Sequence, residues 1–331
     1  MNTPAGQGRC KVGGHPIAWS SAQTVARPFV AYPEQASSPV LVWHEPFGSG
    51  VPRLSVVIPT SDGERGGYFQ QLLRQISNQS FQEFELIVVR GDPRQGRAIN
   101  VGAALARGEY LMILDDDTAL PDPDTVVKLL AVLAQHPDIG LAGGNNVVPA
   151  DATPFVRRVM REIPRRSWEP VQEITDSDLA EHPCLIMRLA DFKAVGGENE
   201  LLPRGLDPYL RHRFRESGKR VVVAPGVIYH HLPPGTWTGL VTQCVRNGRA
   251  AAFVNRYYPQ WVLETPATHG AFPLQVPFPR RATRYLTTLG QAICNGRWVW
   301  LVCQVAYAIG FVRGWLAEVT GSGSRKMVRG C

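Results

Sequence analysis

The sequence predicts an α/β domain with a mostly parallel central sheet, followed by a helical C-terminal extension. The chain has 331 residues, of which 44% are hydrophobic and 19% charged, enough for one large core plus additional segments. Apolar, strand-like runs alternate with segments of helical spacing, which is typical of parallel strands joined by right-handed crossovers. A long apolar stretch near the C-terminus has helical character. These three observations define the fold class.

Composition divides the chain into three segments. Residues 1–52 are rich in Gly, Pro, Ser and Ala and are expected to form an N-terminal arm. Residues 53–235 carry the alternating strand and helix pattern and are expected to form the folded domain. Residues 236–331 are expected to form the helical, basic extension.

The domain begins with three strand-like runs, over residues 54–59, 84–89 and 110–114. Each is continuously apolar, as expected of a strand that is buried on both faces. Helical spacing over residues 68–79 and an Ala-rich run over residues 97–107 place helices between them. Because the carboxyl ends of parallel strands meet at one edge of a sheet, we expect ligands to bind beyond these strand ends.

The alternation continues through the rest of the domain. The predicted elements are a helix over 121–136, a strand over 139–148, a strand over 184–188, a helix over 207–217 and short strands over 220–223 and 227–229. The polar residues 150–182 are expected to form a loop and short helices over the site.

Three adjacent aspartates, Asp115, Asp116 and Asp117, follow the third strand-like run. Neighbouring carboxylates repel one another, so stability alone seldom selects such a run. A hard divalent cation removes that penalty, because Mg²⁺ and Mn²⁺ accept both carboxylate and phosphate oxygens as ligands. The run therefore predicts a cation site that holds a diphosphate. The alternative is a polar turn that caps the following helix.

The residues around these strands resemble family 2 glycosyltransferases, which have the GT-A fold and generally invert the anomeric configuration. The similar segments are residues 55–60, 79–89, 100–102 and 106–111. The resemblance covers roughly residues 53–235 and is specific as a set. It implies a GT-A-like single nucleotide-binding domain, a nucleotide-sugar donor, and a divalent cation, Mn²⁺ or Mg²⁺.

The same resemblance implies roles for individual residues. Asp115 would face the ribose or the metal, and Asp117 would ligate the metal. Many relatives have Asp-Asp-Gly-Ser after the second strand, whereas this chain has Arg-Gly-Asp-Pro, so Arg90 or Asp92 would contact the base. Arg97 would pair with the diphosphate or, alternatively, be a solvated helix residue. The predicted nucleotide-binding residues are Pro59, Thr60, Asp62, Arg90, Asp92, Arg97, Asp115 and Asp116.

Inverting transfer needs a base that deprotonates the acceptor hydroxyl. In the family, this acid follows a Gly-Gly segment, lies at a helix start, and precedes an Arg and a Gly. Here a Gly-Gly pair at 196–197 precedes Asp207, which is followed by Arg211 and Gly218. Asp207 is therefore the predicted base. The alternative is an ordinary N-cap before Pro208.

Two histidines, His230 and His231, follow the strand-like residues 227–229. The family commonly has a histidine at this strand end, and in several members it completes the metal site. An imidazole nitrogen is a suitable ligand for Mn²⁺. His230 is the predicted third ligand beside Asp115 and Asp117, with His231 as the alternative.

The formal net charge of +7 lies entirely in residues 276–331. Nucleic-acid binders usually spread positive charge over a domain face, so no nucleic-acid partner is expected. Residues 298–312 are uncharged and lie between Arg297 and Arg313. This pattern suits a helix at an anionic membrane surface. The alternative is a buried helix that covers the sheet.

Taken together, the residues and the resemblance they carry imply a hexosyltransferase-type enzyme that would transfer a sugar to an acceptor hydroxyl by a metal-assisted single displacement. The expected acceptor is a sugar or a lipid-linked molecule, for surface polysaccharide or glycolipid synthesis. Six scattered cysteines without a C-x-x-C pair, and no signal-peptide pattern, indicate the cytoplasm, at the inner face of the membrane if the C-terminus contacts lipid. The alternatives are a nucleotidyltransferase, although residues 59–67 are a poor version of its Gly-rich loop, and a non-catalytic nucleotide-binding platform at the membrane.

Overall fold

The computed structural model describes residues 11–12, 15–16, 24–33, 41–46, 50–163, 165–263, 267–270 and 278–319. Part of the predicted arm and the basic residues Arg325, Lys326 and Arg329 of the predicted extension lie outside the described residues.

Strands and helices alternate along most of the described chain. The strands are β1 (Lys11–Val12), β2 (His15–Pro16), β3 (Leu41–Pro46), β4 (Leu54–Thr60), β5 (Phe84–Arg90), β6 (Tyr110–Ile113), β7 (Thr118–Ala119), β8 (Ile139–Asn146), β9 (Thr175–Asp176), β10 (Leu185–Arg188) and β11 (Arg220–His231). The α-helices are α1 (Tyr68–Ser77), α2 (Gln95–Leu105), α3 (Thr125–Gln135), α4 (Pro154–Glu162), α5 (Leu189–Ala194), α6 (Leu206–Glu216), α7 (Trp237–Tyr257), α8 (Phe278–Cys294) and α9 (Trp298–Val319).

The main sheet of the described residues is mixed. Its strand order is β3-β5-β4-β6-β10-β8-β11-β7, and β9 also pairs with β11. Strand β4 runs parallel to β5 and β6, and β8 runs parallel to β11. Strand β10 is antiparallel to both β6 and β8, and the edge strands β3, β7 and β9 are antiparallel too. The sheet is therefore less parallel than the sequence predicted, because a strand buried on both faces has the same apolar pattern in either direction.

Helices cover both faces of the sheet. One core contains Phe69 of α1 and Leu129 of α3, packed with alternate residues of the strands such as Val56. The second core contains Ile99 of α2 and Phe214 of α6, packed with the intervening strand residues. The predicted α/β fold class, with a helical C-terminal region, is confirmed. The sheet presents the carboxyl ends of β4, β5 and β6 at one edge.

Candidate active site

The three aspartates lie directly beyond the carboxyl end of β6. The backbone N–H of Leu114 donates to the Val57 carbonyl at 3.1 Å, which extends the pairing of β6 with β4 up to the first aspartate. The chain then turns, and the N–H of Thr118 donates to the Asp115 carbonyl at 3.1 Å. Strand β7 follows at once and pairs Thr118 with His231 of β11. The turn and this short strand therefore bring the end of β11 to the aspartates.

Asp115, Asp117 and His231 form a group that fits a divalent cation. Each offers one ligand atom, and these atoms lie within 4.8 Å of one another. His231 Nε2 is 3.2 Å from Asp117 Oδ1. Two carboxylate oxygens and an imidazole nitrogen are a donor set that suits Mn²⁺ and is compatible with Mg²⁺ when water completes the shell.

His231, the alternative of the two histidines, occupies the position that the sequence assigned to His230. His230 Nδ1 donates to the Val147 carbonyl at 2.6 Å, so it is directed away from the aspartates. Neighbouring side chains on a strand point to opposite faces, so only one of the two can join the cluster. The choice depends on the register of β7 against β11, which pairs Ala119 with His230 and Thr118 with His231.

The carboxylates of the cluster have different electrostatic surroundings. Burial raises the pKa of Asp115 to about 7; the nearby His231 opposes this shift, and the charges of Asp117 and Asp207 add to it. Burial also raises the pKa of Asp116, against a hydrogen bond from Thr60. Burial acts in the same sense on Asp117, but the hydrogen bond and charge of His231 and the charge of Arg65 hold its pKa well below the usual range. Asp117 is therefore the carboxylate most firmly kept in its charged form.

Arg65 is a site residue that the sequence reasoning missed. Its Nε and Nη2 donate to Asp117 Oδ2 at 3.0 and 2.6 Å, and its Nε lies 3.3 Å from Asp116 Oδ1. The loop that carries it is fixed by Asp62, whose Oδ1 accepts from the N–H groups of Glu64 and Arg65 at 2.9 and 3.0 Å. The signal in the sequence is the Gly-rich run of residues 59–67, whose resemblance to a phosphate-binding loop does not point to a contact between Arg65 and the aspartates.

Thr60 and Asp62, two predicted nucleotide contacts, lie beside the cluster. The Thr60 hydroxyl donates to Asp116 Oδ2 at 2.7 Å and accepts from the N–H of Gly63 at 3.0 Å. Pro59 precedes Thr60 near the end of β4. Thr60 therefore orients Asp116 and the loop that follows, and Asp62 shapes that loop.

The other predicted nucleotide contacts lie at and after the end of β5: Arg90 is its last residue, and Asp92 and Arg97 follow it. Arg97 is buried, and its Nε and Nη2 donate to Asp92 at 2.6 and 2.9 Å. Arg97 is thus neither solvated nor directed into open space, and the pair braces the start of α2. Gln95, which the sequence reasoning did not select, donates from Nε2 to Asp115 Oδ1 at 2.7 Å.

Asp207 lies in the first turn of α6, near the acidic cluster. The N-cap of this helix is Gly205, with φ of 86°, so Asp207 is not the N-cap that the alternative interpretation required. Its Oδ1 lies 2.9 Å from His182 Nδ1 and accepts from the His182 N–H at 2.7 Å. Burial raises the pKa of Asp207, but the charge and hydrogen bonds of His182 outweigh it and hold the pKa well below the usual range. Asp207 is therefore a charged carboxylate at the site.

A cavity of about 400 Å³ extends from the cluster toward helix α7. Its lining residues are Arg65, Tyr68, Asp117, Leu232, Pro233, Pro234, Gly235, Gly239, Thr242, Gln243 and Arg246. Two arginines and one cluster carboxylate therefore face the same space. Arg246 belongs to the C-terminal extension and was not selected from the sequence, because helical spacing alone does not tell which side chains face a cavity.

Residues 90–195 match the family model described as Glycosyl transferase family 2. The matched segment contains the three aspartates and His182, and it ends before Asp207 and His231. No curated protein sequence matches the chain. The family match supports glycosyl transfer as the activity.

Two solved structures that are similar to this chain have low sequence identity to it. The mannosyltransferase PcManGT from Pyrobaculum calidifontis, in complex with GDP-Man and Mn²⁺, is 16% identical, with a TM-score of 0.49, over 81% of this chain and 88% of that chain. TarS from S. aureus, as residues 1–349, is 15% identical, with a TM-score of 0.39, over 81% of this chain and 92% of that chain.

Proposed function

We propose that this protein is an inverting, hexosyltransferase-type glycosyltransferase that moves a sugar from a nucleotide diphosphate-sugar to an acceptor hydroxyl. The observation that carries the proposal is the placement of Asp207 beside the group formed by Asp115, Asp117 and His231. The two sites are close enough for the charge of Asp207 to raise the pKa of Asp115. The family match over residues 90–195 supports the same reaction class.

The residues divide the chemistry between a leaving-group side and an acceptor side. Asp115, Asp117 and His231 would hold Mg²⁺ or Mn²⁺, which supplies positive charge against the departing diphosphate. Arg65 and Arg246 line the adjoining cavity and offer further positive charge to phosphate oxygens. Asp207 takes the proton of the acceptor hydroxyl as that oxygen attacks the anomeric carbon. The nucleoside lies near Thr60, Asp62 and the end of β5.

We also propose that the extension from residue 236 onward contacts a membrane at its cytoplasmic face, where a sugar or lipid-linked acceptor would be found. Residues Trp298–Ala317 are long and apolar enough to cross a membrane by length and composition, and 33% of that window is buried. Beyond its first turn, α9 buries small residues, among them Ala306, Gly310 and Gly314, and exposes large apolar ones. Over the whole helix, the exposed large apolar residues are Trp298, Val302, Val305, Ile309, Val312, Trp315 and Leu316. Helices in water show the reverse arrangement.

An anionic lipid surface is the occupant that best complements this face. The sequence over residues 278–317 contains five arginines and no acidic residue. Exposed Trp298 and Trp315 lie near the two ends of the apolar face, and tryptophan is enriched where a membrane meets water. Apolar burial and attraction to anionic headgroups together stabilise an interfacial helix.

A thermal-shift panel tests the donor and cation proposal. UDP, GDP, CDP and dTDP are each added with and without Mn²⁺ or Mg²⁺ to wild type, Asp117→Ala, and Asp151→Ala, a control at an exposed carboxylate. At a hundredfold excess over its dissociation constant, a ligand stabilises the fold by roughly 2.7 kcal/mol. We expect one nucleotide to stabilise wild type and the Asp151→Ala control, and to do so only when metal is present. The same nucleotide should not stabilise Asp117→Ala under either condition.

Three other outcomes would change the conclusion. If none of the nucleotides shifts the melting temperature of any of the three proteins, the basis for a nucleotide-sugar donor is removed. Tight nucleotide binding without turnover of any nucleotide-sugar favours a non-catalytic platform. Release of pyrophosphate from a nucleoside triphosphate, instead of nucleoside diphosphate from a sugar donor, indicates a nucleotidyltransferase.

A further inference from the structure

His182 is buried between two carboxylates that come from different parts of the chain. Its Nδ1 lies 2.9 Å from Asp207 Oδ1, and its Nε2 lies 2.7 Å from Glu198 Oε1. The ring is 2% exposed and Glu198 is fully buried. Because carboxylates only accept hydrogen bonds when ionised, an imidazolium, which donates from both nitrogens, satisfies both partners.

The contacts with His182 fix one oxygen of Asp207. Oδ1 accepts from both the ring and the backbone N–H of His182. No hydrogen bond among the described residues is made by Oδ2, and the side chain keeps 31% of its surface exposed. The carboxylate is therefore held in one orientation, with Oδ2 as the oxygen left for a substrate.

Glu198 is itself held rigidly. Asn100 of α2 donates from Nδ2 to the Glu198 carbonyl at 2.9 Å and accepts the Glu198 N–H at its Oδ1, also at 2.9 Å. Glu198 Oε2 is buried and has no hydrogen-bond partner among the described residues. A buried carboxyl group that leaves one oxygen unpaired is costly, so packing stability alone does not account for Glu198 at this position.

We infer that His182 is a positioning residue for Asp207 and that Glu198 fixes the ring of His182. The inference rests on the proposed function, in which Asp207 is the base. His182 keeps Asp207 Oδ1 occupied and directs Oδ2 to the acceptor hydroxyl. Correct orientation of a reacting group is a large part of catalysis, and a displacement of 1 Å can cost roughly 100-fold in rate.

The charges around Asp207 come from several elements. Those that act on Asp207, His182 or their immediate neighbours belong to Asp115, Arg165, Asp178, Glu181, Glu198 and Arg211. His182 itself both donates to Asp207 and brings a positive charge to it. Removing it should therefore raise the pKa of Asp207, so that a base active at a given pH becomes protonated at that pH.

The test compares His182→Gln, Glu198→Gln and His212→Gln. His212 is a matched control, because it lies on α6 like Asp207 but its ring contacts Glu216 and Trp261. The assay measures nucleoside diphosphate release across a pH series, with whichever of UDP-glucose, UDP-N-acetylglucosamine, GDP-mannose or dTDP-rhamnose the wild type uses. Side-chain ¹⁵N NMR of wild type and Asp207→Asn, without any donor, reports the protonation of His182.

For His182→Gln we expect kcat to fall about 100-fold, KM to change little, and the acidic limb of the pH profile to move to higher pH. Glu198→Gln should give a smaller fall in kcat, and His212→Gln should match wild type. The NMR spectrum should show His182 as an imidazolium at neutral pH in wild type and not in Asp207→Asn.

The inference is overturned if wild type is active and His182→Gln loses activity with an unchanged pH profile, or if His182 is neutral in the wild-type spectrum. A wild type that uses no nucleotide-sugar instead contradicts the proposed function, and the NMR result still stands by itself. If His182→Gln fails to fold, Glu198→Gln and the NMR comparison decide the question.

Discussion

Helices of the α/β domain and the C-terminal helix pair, formed by α7 and α9, bury opposite kinds of side chain. In α1 the large residues Phe69 and Leu72 are fully buried against the sheet, as expected of a helix whose outer face meets water. In α9 the buried positions include Gly310 and Gly314, and Val305 is 61% exposed. The first region gains its stability from apolar residues turned inward. The second leaves large apolar residues exposed, and this exposure is the basis for the proposed membrane contact.

The two regions also use close contact differently. At the acidic site, Arg65, Gln95 and His182 approach the aspartates and provide the charges and hydrogen bonds that buried carboxylates need. Between α7 and α9, glycines let the backbones touch: a Cβ added at Gly310 would lie 2.1 Å from the Val245 carbonyl oxygen. Hydrogen bonds and ion pairs thus hold the site together, whereas small residues allow the two helices to pack closely.

The largest expected effect is at the site. Asp207→Asn keeps the shape of the side chain but removes the base, so we expect kcat to fall by roughly 10²- to 10⁴-fold. Nucleotide and cation binding should persist, which the thermal-shift panel checks, and Asp151→Asn should behave as wild type. Full activity of Asp207→Asn would place the base elsewhere and leave His182 without its proposed role.

The next effect is at the helix pair. Gly310→Ala places a methyl group against the α7 backbone and should destabilise the protein by about 1–3 kcal/mol. Gly290→Ala is the matched control, since nothing lies within 4 Å of its added Cβ, and it should stabilise by up to about 1 kcal/mol. Denaturant unfolding measures both. Equal stability of the two variants would show that α9 does not pack on α7 through Gly310.

The sequence predicted most of the elements and the position of the three aspartates after a strand, because both depend on local patterns. The pattern of apolar residues predicts the strand that ends at the three aspartates. It also predicts the helix that carries Asp207, and both elements are found at the predicted positions. Contacts between residues that are distant in the sequence were harder to predict. The choice of His231 over His230 depends on the register of β7, and the contact of Arg65 with Asp117 depends on the path of a loop, neither of which leaves a periodic signal.

His182 and α9 show two further limits of a single sequence. A histidine in a polar segment carries no sign of the carboxylates that the fold brings to it from residues 198 and 207. The apolar run of α9 left an interfacial helix and a buried helix open, because composition does not tell which face packs. The small residues that α9 turns inward are the basis for proposing the first of these.

The membrane contact gives the third effect. Val305→Asp puts a charge on the exposed face of α9, where it should leave folding unchanged and weaken binding to anionic phosphatidylglycerol vesicles about tenfold or more, since burial of one such side chain contributes about 1.5–3 kcal/mol. Val127→Asp is the control, because Val127 is a 43% exposed helical valine in the α/β domain. Vesicle sedimentation measures both. If wild type does not sediment, or if both variants lose binding equally, α9 is not the membrane-contacting helix.

The smallest effect tests whether Arg65 neutralises the charge of Asp117 that a bound cation would otherwise neutralise. The side chain is 43% exposed, so its pairing with Asp117 is worth at most about 1 kcal/mol. Arg65→Ala should therefore bind Mn²⁺ up to about fivefold more tightly in the absence of nucleotide, as titration calorimetry would show, and Arg161→Ala, at an exposed position on α4, should not. With nucleotide present the sign should reverse, because Arg65 lines the cavity beside Asp117 and its charge then faces the diphosphate. A tighter nucleotide complex in Arg65→Ala would mean that the arginine opposes the donor and only shields the carboxylates.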